Sequence, residues 1–308
     1  MTSALFATSD GDIVLRAGTE PDSKHDFRVH KFILSLASPV FKDMFAIPQP
    51  SDQSQNQSSD IPVVDIPDSP EVFNIILQYI YPGVELPRIT NTSILSTLFS
   101  TADKYDIASI HPVLKDSLKA FLPKDPFRVY IMACQFGFSG EAKEAARVMN
   151  SQCMLHRDYD EAVQHISGPD LYRLIRFVQT REYEGRSMID DLLGGYYLNE
   201  KSSCDHWDDG KDFYFLLAQR VKDTFVRKPC LELEDLFGVF NTIPDPPPGC
   251  KPAPQPAEWY YDRGDEDAFS CPLLLMSIRD NLGYVVRELR DLNRRLLNEA
   301  FEKGIGGS

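Results

Sequence analysis

This sequence lacks most of the features that announce chemistry. Its six cysteines stand at 134, 153, 204, 230, 250 and 271, and none lies closer than nineteen residues to the next. That spacing excludes a Cys-x-x-Cys pair and a disulfide framework. No Gly-rich phosphate loop occurs, and no zinc-finger arrangement of cysteine and histidine. Cys204 and His206 lie among Asp205, Asp208, Asp209 and Asp212. The run misses the regular spacing of a calcium loop and reads as a solvated acidic surface. "GFSGE", residues 137–141, resembles a nucleophile elbow only in part. It lacks the second glycine at the required position, where Glu141 stands, and the preceding strand. Asp190, Asp191, Glu232, Glu234 and Asp235 read as solvated faces.

Positive charge is also scarce. Against 32 Lys and Arg stand 46 Asp and Glu, for a formal net charge of -14. Such a chain repels phosphate backbones and anionic lipid, so neither nucleic acid nor a membrane is expected as a partner. The one basic cluster, Arg287, Arg290, Arg294 and Arg295, is interleaved with Glu288 and Asp291 and reads as a salt-bridged helix face. Long hydrophobic runs are missing: none nears the roughly 18 residues of a spanning helix. "MTSALFATSDGD" has neither the basic region nor the apolar stretch of a secretory signal. The expectation is an intracellular chain, in cytoplasm or nucleus. No catalytic residue, cofactor or metal is implied.

What remains is an ordinary folding composition, 43% hydrophobic and 25% charged over 308 residues, enough for two or three domains. "DIVLRA", "GTEPDSK" and "HDFRVH" read as strand, turn and strand. "VHKFILSLASPVFKDMF", 29–45, then interrupts the densest apolar stretch with Ser38-Pro39. Serine caps a helix N-terminus, and proline suits the first helical position because its N–H would be unpaired there. The pair therefore ends one short helix and starts another at an angle. Phe32, Ile33, Leu36, Val40, Phe41, Met44 and Phe45 are expected to be largely buried on this corner, and Leu36→Ala to cost roughly 2–5 kcal/mol.

Residues 48–60, without an apolar side chain, read as a surface loop. "IPVVDI" reads as a strand. "DSPEVFNIILQYIY" reads as a helix with a capping box of Asp68 and Glu71, closed by Gly83. Two amphipathic helices follow to residue 122, the second carrying Pro112. The result is an α+β unit, a small sheet covered by helices. After Pro123 the strand pattern stops and an all-α domain is expected, with helices at "DPFRVYIMACQF", "EAKEAARVMN", "GPDLYRLIRFVQTRE" and "KDFYFLLAQRVKDTFV". "PDPPPGCKPAPQP", 244–256, has seven prolines in thirteen residues and reads as an extended spacer.

"GDIVLRA", "FRVHKFILSLASPVFKDMF", "FNIILQYIYPG" and "ADKYDI", in that order, resemble a BTB/POZ domain, and more narrowly the fungal BTB proteins. "PFRVYIMACQFG" resembles the opening of a BACK-like helical region. The resemblance implies a BTB/POZ fold over 1–122 and a BACK-like all-α domain over 123–243; the proline content sets the spacer over 244–258, and the apolar pattern beyond it a C-terminal helix within 259–308. It implies a non-enzymatic adaptor or scaffold whose partners are proteins, a cullin or another BTB protein among them. Its structural signature falls on Asp12, His30, Lys31, Ser38, Pro39, Phe41, Met44, Phe45, Tyr81 and Gly83, with Asp12 a structural acceptor rather than a catalytic acid. Swapped BTB homodimers carry a helix ahead of the first hairpin, and about eleven residues before Asp12 are too few for it. Cullin adaptors often carry an apolar-x-Glu triplet after the second hairpin helix. The matching positions are Ile47, Pro48 and Gln49, with glutamine in place of glutamate. An adaptor of a cullin-RING ubiquitin ligase is the alternative reading, and an enzyme with an unrecognised site in the helical domain is a third.

Leu275, Ile278, Leu282, Val285, Leu289, Leu292 and Leu296 alternate at spacings of three and four, the period of a coiled-coil seam. Leu274 and Val286 widen the stripe, and Gly283 weakens an isolated helix. Packing of this helix on its own helical domain is the favoured expectation. An intermolecular coiled coil is the rival.

Overall fold

Alternation along residues 13–17 makes the central strand. Ile13, Leu15 and Ala17 are buried while Val14 and Arg16 between them are not, the period of a strand with one face on a core. In the computed structural model this strand, β1 (Ile13–Ala17), pairs antiparallel with β2 (His25–Val29), Leu15 opposite Phe27. On its other side it pairs parallel with β3 (Val63–Ile66), Val14 opposite Val63. The structure describes residues 6, 10–20, 24–47, 61–154, 160–199, 210–240 and 272–302. The side chains of 160, 194–199, 210–214, 237–240 and 272–280 fall outside it. The loop at 48–60, the acidic run around Cys204 and His206, and the proline spacer therefore lie outside the described residues. The chain divides into two compact units, Met1–Lys124 and Asp125–Ser308.

In the first unit the sheet is covered by α1 (Lys31–Ala37), α2 (Pro39–Ala46), α3 (Pro70–Ile80), α4 (Thr92–Lys104) and α5 (His111–Phe121). The order of strands and helices follows the sequence pattern. An aromatic cluster fills the centre. The Phe41 ring stacks on Tyr105 at 4.7 Å, and Phe73 meets the edges of Phe27, Phe41 and Tyr105. Pro112 sits in the first turn of α5, behind a 3-10 turn at Ala108–Ile110, and does not kink the helix.

Two expectations are corrected here. Phe41 is buried, and Ile33, Val40, Met44 and Phe45 are half-buried, but Phe32 and Leu36 are 77% and 80% exposed. The reason is angular. At 3.6 residues per turn, positions two apart are roughly 200° around a helix. Leu34 is the buried residue of α1, so Phe32 and Leu36, two residues to either side, are turned away from the core. The second correction concerns α3. Its N-cap is Ser69, whose hydroxyl accepts from Val72 N at 3.5 Å. No capping box forms, because the Asp68 carboxylate is taken by Lys104 at 2.8 Å and by the Tyr105 hydroxyl at 2.5 Å.

The second unit is helical throughout its described residues: α6 (Pro126–Gln135), α7 (Ser139–Val148), α8 (Asp160–Val163), α9 (Gly168–Asn199), α10 (Gly210–Arg227), α11 (Leu233–Phe240) and α12 (Pro272–Phe301). Asp125 caps α6, accepting from Arg128 N at 3.1 Å, and α6 is buried on nearly every side. Helix α9 runs 32 residues, well past the fifteen its apolar pattern suggests. Gly185 in its middle has a packing role: a Cβ there would overlap the ring of Phe225 on α10.

Arg181 of α9 is fully buried. It donates to the carbonyls of Ala146, Arg147 and Met149 at the C-terminal end of α7, where carbonyls run out of helical partners. Burial lowers its pKa to about 10. Helix α12 lies against α7, α9 and α11, and Leu282, Val285, Leu289, Leu292 and Leu296 are buried there with Val286 and Phe301. The side chains of Leu274, Leu275 and Ile278 lie outside the described residues. Three arginines of the basic face of α12 are ion-paired, and Arg287 lies over the Tyr284 ring. Arg290 meets Glu232, Arg294 meets Asp291 at 3.2 Å, and Arg295 meets Glu184 at 2.8 Å.

Candidate interaction surface

The candidate surface is held up from below by the Ser38-Pro39 corner. Ser38 is fully buried, and its hydroxyl has two partners. It accepts from Phe41 N at 3.0 Å, capping α2, and donates to the Tyr105 carbonyl at 2.5 Å. A buried hydroxyl is tolerated only when so paired. Pro39 takes the first turn of α2. Tyr105 ties three elements together: its carbonyl holds the corner, its ring stacks on Phe41, and its hydroxyl binds Asp68 ahead of α3. Burial, reinforced by Asp68, raises the Tyr105 pKa far above the usual tyrosine range, so the hydroxyl stays protonated as a donor.

The entrance to α1 is fixed by a second set of contacts. Asp12 Oδ1 accepts from Lys31 N at 2.8 Å, and the His30 N–H donates to the Tyr81 hydroxyl at 2.8 Å. Burial raises the Tyr81 pKa as well. The His30 ring lies 3.6 Å from Asp10. Gly83, at φ 78, supplies the left-handed turn after α3. Phe6 packs on Phe27 and Tyr81. The sequence pattern passes over Phe6 because no periodic element surrounds it. It passes over Tyr105 because its partners are 37 and 67 positions away.

With α1 held at both ends, Phe32 and Leu36 stand together on its outer face. Phe45 stacks on Phe41 at 5.9 Å, and Ile47 beyond α2 is 64% exposed. Pro48 and Gln49 lie outside the described residues. Neighbouring exposed apolar side chains of this kind mark contact surfaces more often than chance. Among the described residues no group of His, Cys, Asp and Glu could hold a metal ion, and no helix is long and apolar enough to cross a membrane.

Residues 5–122 match the family model of the BTB/POZ domain. Similar curated proteins include three from Mus musculus. "TD and POZ domain-containing protein 1" is 32% identical over 94 residues, 30% of this chain and 24% of that protein. "TD and POZ domain-containing protein 5" is 31% identical over 94 residues, 30% of this chain and 26% of that protein. "TD and POZ domain-containing protein 4" is 30% identical over 94 residues, with 30% and 24% covered. The chain spans about a quarter of the length of the curated relatives it matches. The first unit is a BTB/POZ domain of α+β fold, followed by helices. That domain family is one of non-enzymatic protein-interaction modules.

Proposed function

We propose that this chain is a non-enzymatic adaptor or scaffold that assembles with protein partners through the outer face of α1. One observation carries the reading: Phe32 and Leu36 are 77% and 80% exposed on a helix whose backbone is pinned by Asp12, Ser38 and Tyr105. A rigid apolar face loses little entropy when it is covered. Another BTB chain is the partner this face suits best, and the helical unit serves as a BACK-like region, the reading drawn from "PFRVYIMACQFG". Light scattering on the full chain and on a Phe32→Asp/Leu36→Asp double variant tests this. The wild type should associate with itself or with a purified BTB partner, and the variant should remain folded by circular dichroism and lose the association. Equal association by the folded variant overturns the reading.

Ile47 supports a second reading, an adaptor for a cullin. It is exposed at the end of α2, at the apolar position of the triplet that cullin adaptors carry. With Gln49 where glutamate is usual, binding of a purified cullin N-terminal domain is expected to be weak and to rise on Gln49→Glu. Sub-micromolar binding by the wild type contradicts the expected weakness, and no gain on Gln49→Glu removes this site assignment.

A further inference from the structure

Helices α9 and α12 leave a groove between them. Arg295 meets Glu184 at 2.8 Å, and the Phe301 ring meets Phe177 at 6.1 Å, so the two helices run antiparallel. Past the ion pair, toward the start of α9, the surface opens into a groove of about 420 Å³. Tyr172, Arg176 and Thr180 line it from α9, and Leu296, Glu299 and Ala300 line it from α12. The outer side of α9 continues from its rim. Tyr172 and Tyr183 are 65% and 78% exposed there. With Arg176 they fall within about 40° of one another around the helix, at 3.6 residues per turn. Tyrosine and arginine are residue types that concentrate binding energy at protein interfaces.

The charges decide the occupant. Arg173 is taken by Asp170 at 2.6 Å, and Glu184 by Arg295. Among the described residues, Arg176 on the α9 wall and Glu299 on the α12 wall are in no ion pair, and neither is Glu302, one turn-length past Glu299. A partner of a single charge sign would set like charges against one wall. The antiparallel register places Arg176 level with Glu302 and about one turn from Glu299. The same register places Tyr183 level with Leu296. A two-fold axis parallel to the helices keeps every residue at its level and lays α9 of one copy against α12 of the other. It carries Arg176 of each copy to Glu299 and Glu302 of the other. The face is complementary to itself, the condition for an isologous dimer.

We propose that the α9–α12 face of the helical unit binds a second copy of this chain, forming an antiparallel four-helix bundle across a two-fold axis. Arg176 meets the two carboxylates of the other copy on both sides of the axis, and Tyr183 covers Leu296 of the other copy. This surface is separate from the α1 face and does not depend on it.

The test uses the full chain carrying Phe32→Asp and Leu36→Asp, so that α1 contributes no association. Sedimentation equilibrium should show a dimer for this parent. Arg176→Glu should weaken dimerisation at least tenfold, and so should the pair Glu299→Arg/Glu302→Arg. An equimolar mixture of these two variants should dimerise as tightly as the parent, because each supplies the charges that the other lacks. A chain carrying all three changes should dimerise with itself for the same reason. Tyr183→Ser should also weaken the dimer at least tenfold with every charge in place, which keeps the test decisive should a charge variant misfold. A monomeric parent overturns the proposal and leaves the groove to a different chain. Indifference to the charge variants or to Tyr183→Ser, or a mixture that stays monomeric, overturns it too.

Discussion

The two units bury polar groups by different means. In the BTB unit the core is aromatic, and the fully buried hydroxyl of Ser38 has both partners it needs. In the helical unit a whole guanidinium is buried. Arg181 serves three carbonyls at the end of α7 while its Nε has no partner, and the nearby Asn293 leaves its side-chain carbonyl unpaired. The first arrangement is a capped corner that short-range sequence rules anticipate. The second joins residues some 32 to 35 positions apart, and no local pattern announces it. Stability in the first unit should therefore be concentrated in a few aromatic and capping residues. In the second it should depend on how closely long helices approach.

The largest expected effect tests the aromatic core. Phe41→Ala should lower the unfolding free energy by about 3–5 kcal/mol in a denaturant titration, the usual range for a buried phenylalanine. A loss below about 1 kcal/mol would show that the cluster is not the anchor of its unit. Gly185→Ala addresses the other side of the comparison, and its sign is the point. Helix propensity alone predicts a gain of about 1 kcal/mol. The overlap with Phe225 predicts instead a loss of roughly 1–3 kcal/mol. A stabilised variant would mean that α9 and α10 do not pack through this glycine.

Ser38→Ala should cost about 1–2 kcal/mol, since it removes the cap from Phe41 N and the donor from the Tyr105 carbonyl. A much smaller loss would show that water replaces the hydroxyl. Within α1 the contrast should be sharp. Leu34→Ala should cost roughly 2–5 kcal/mol, while Phe32→Ala and Leu36→Ala should each stay within about 0.5 kcal/mol, as exposed positions do. Similar losses at all three would put Phe32 and Leu36 back in the core.

The smallest effect at neutral pH concerns Cys134 in α6. Burial pushes its thiol up to about 12 from an ordinary 9.0. A raised pKa in the folded state contributes stability that is complete below the unfolded value and lost as pH rises toward the folded one. Unfolding free energy should therefore decline between pH 9 and pH 12, and Cys134→Ala should flatten part of that slope. A slope unchanged in the variant would assign the decline to other groups, the buried tyrosines Tyr105 and Tyr130 first.

The sequence by itself determined what depends on neighbours a few positions apart. Alternation at Ile13, Leu15 and Ala17 placed β1, and Ser38-Pro39 placed the corner. The three-four spacing from Leu282 to Leu296 marked one apolar stripe on α12. Each rests on backbone geometry and periodicity, which act within a turn or a strand. Only the tertiary structure decided which side of a given helix is inside. Five of the seven residues of α1 are apolar, Phe32, Ile33, Leu34, Leu36 and Ala37, so periodicity could not choose between Leu34 and the pair Phe32 and Leu36. That choice came from the sheet and from the pins at Asp12, Ser38 and Tyr105. Asp68 is chemically as fit to cap α3 as to bind Tyr105, and the buried hydroxyl won because an unpaired donor in the interior costs more than one at a helix end that water can reach. Gly185 reads as a weak point in a helix until Phe225, forty residues on, occupies the space its missing side chain leaves. Contacts at such separations depend on where whole elements dock, and that is set by the summed packing of the unit rather than by any one segment.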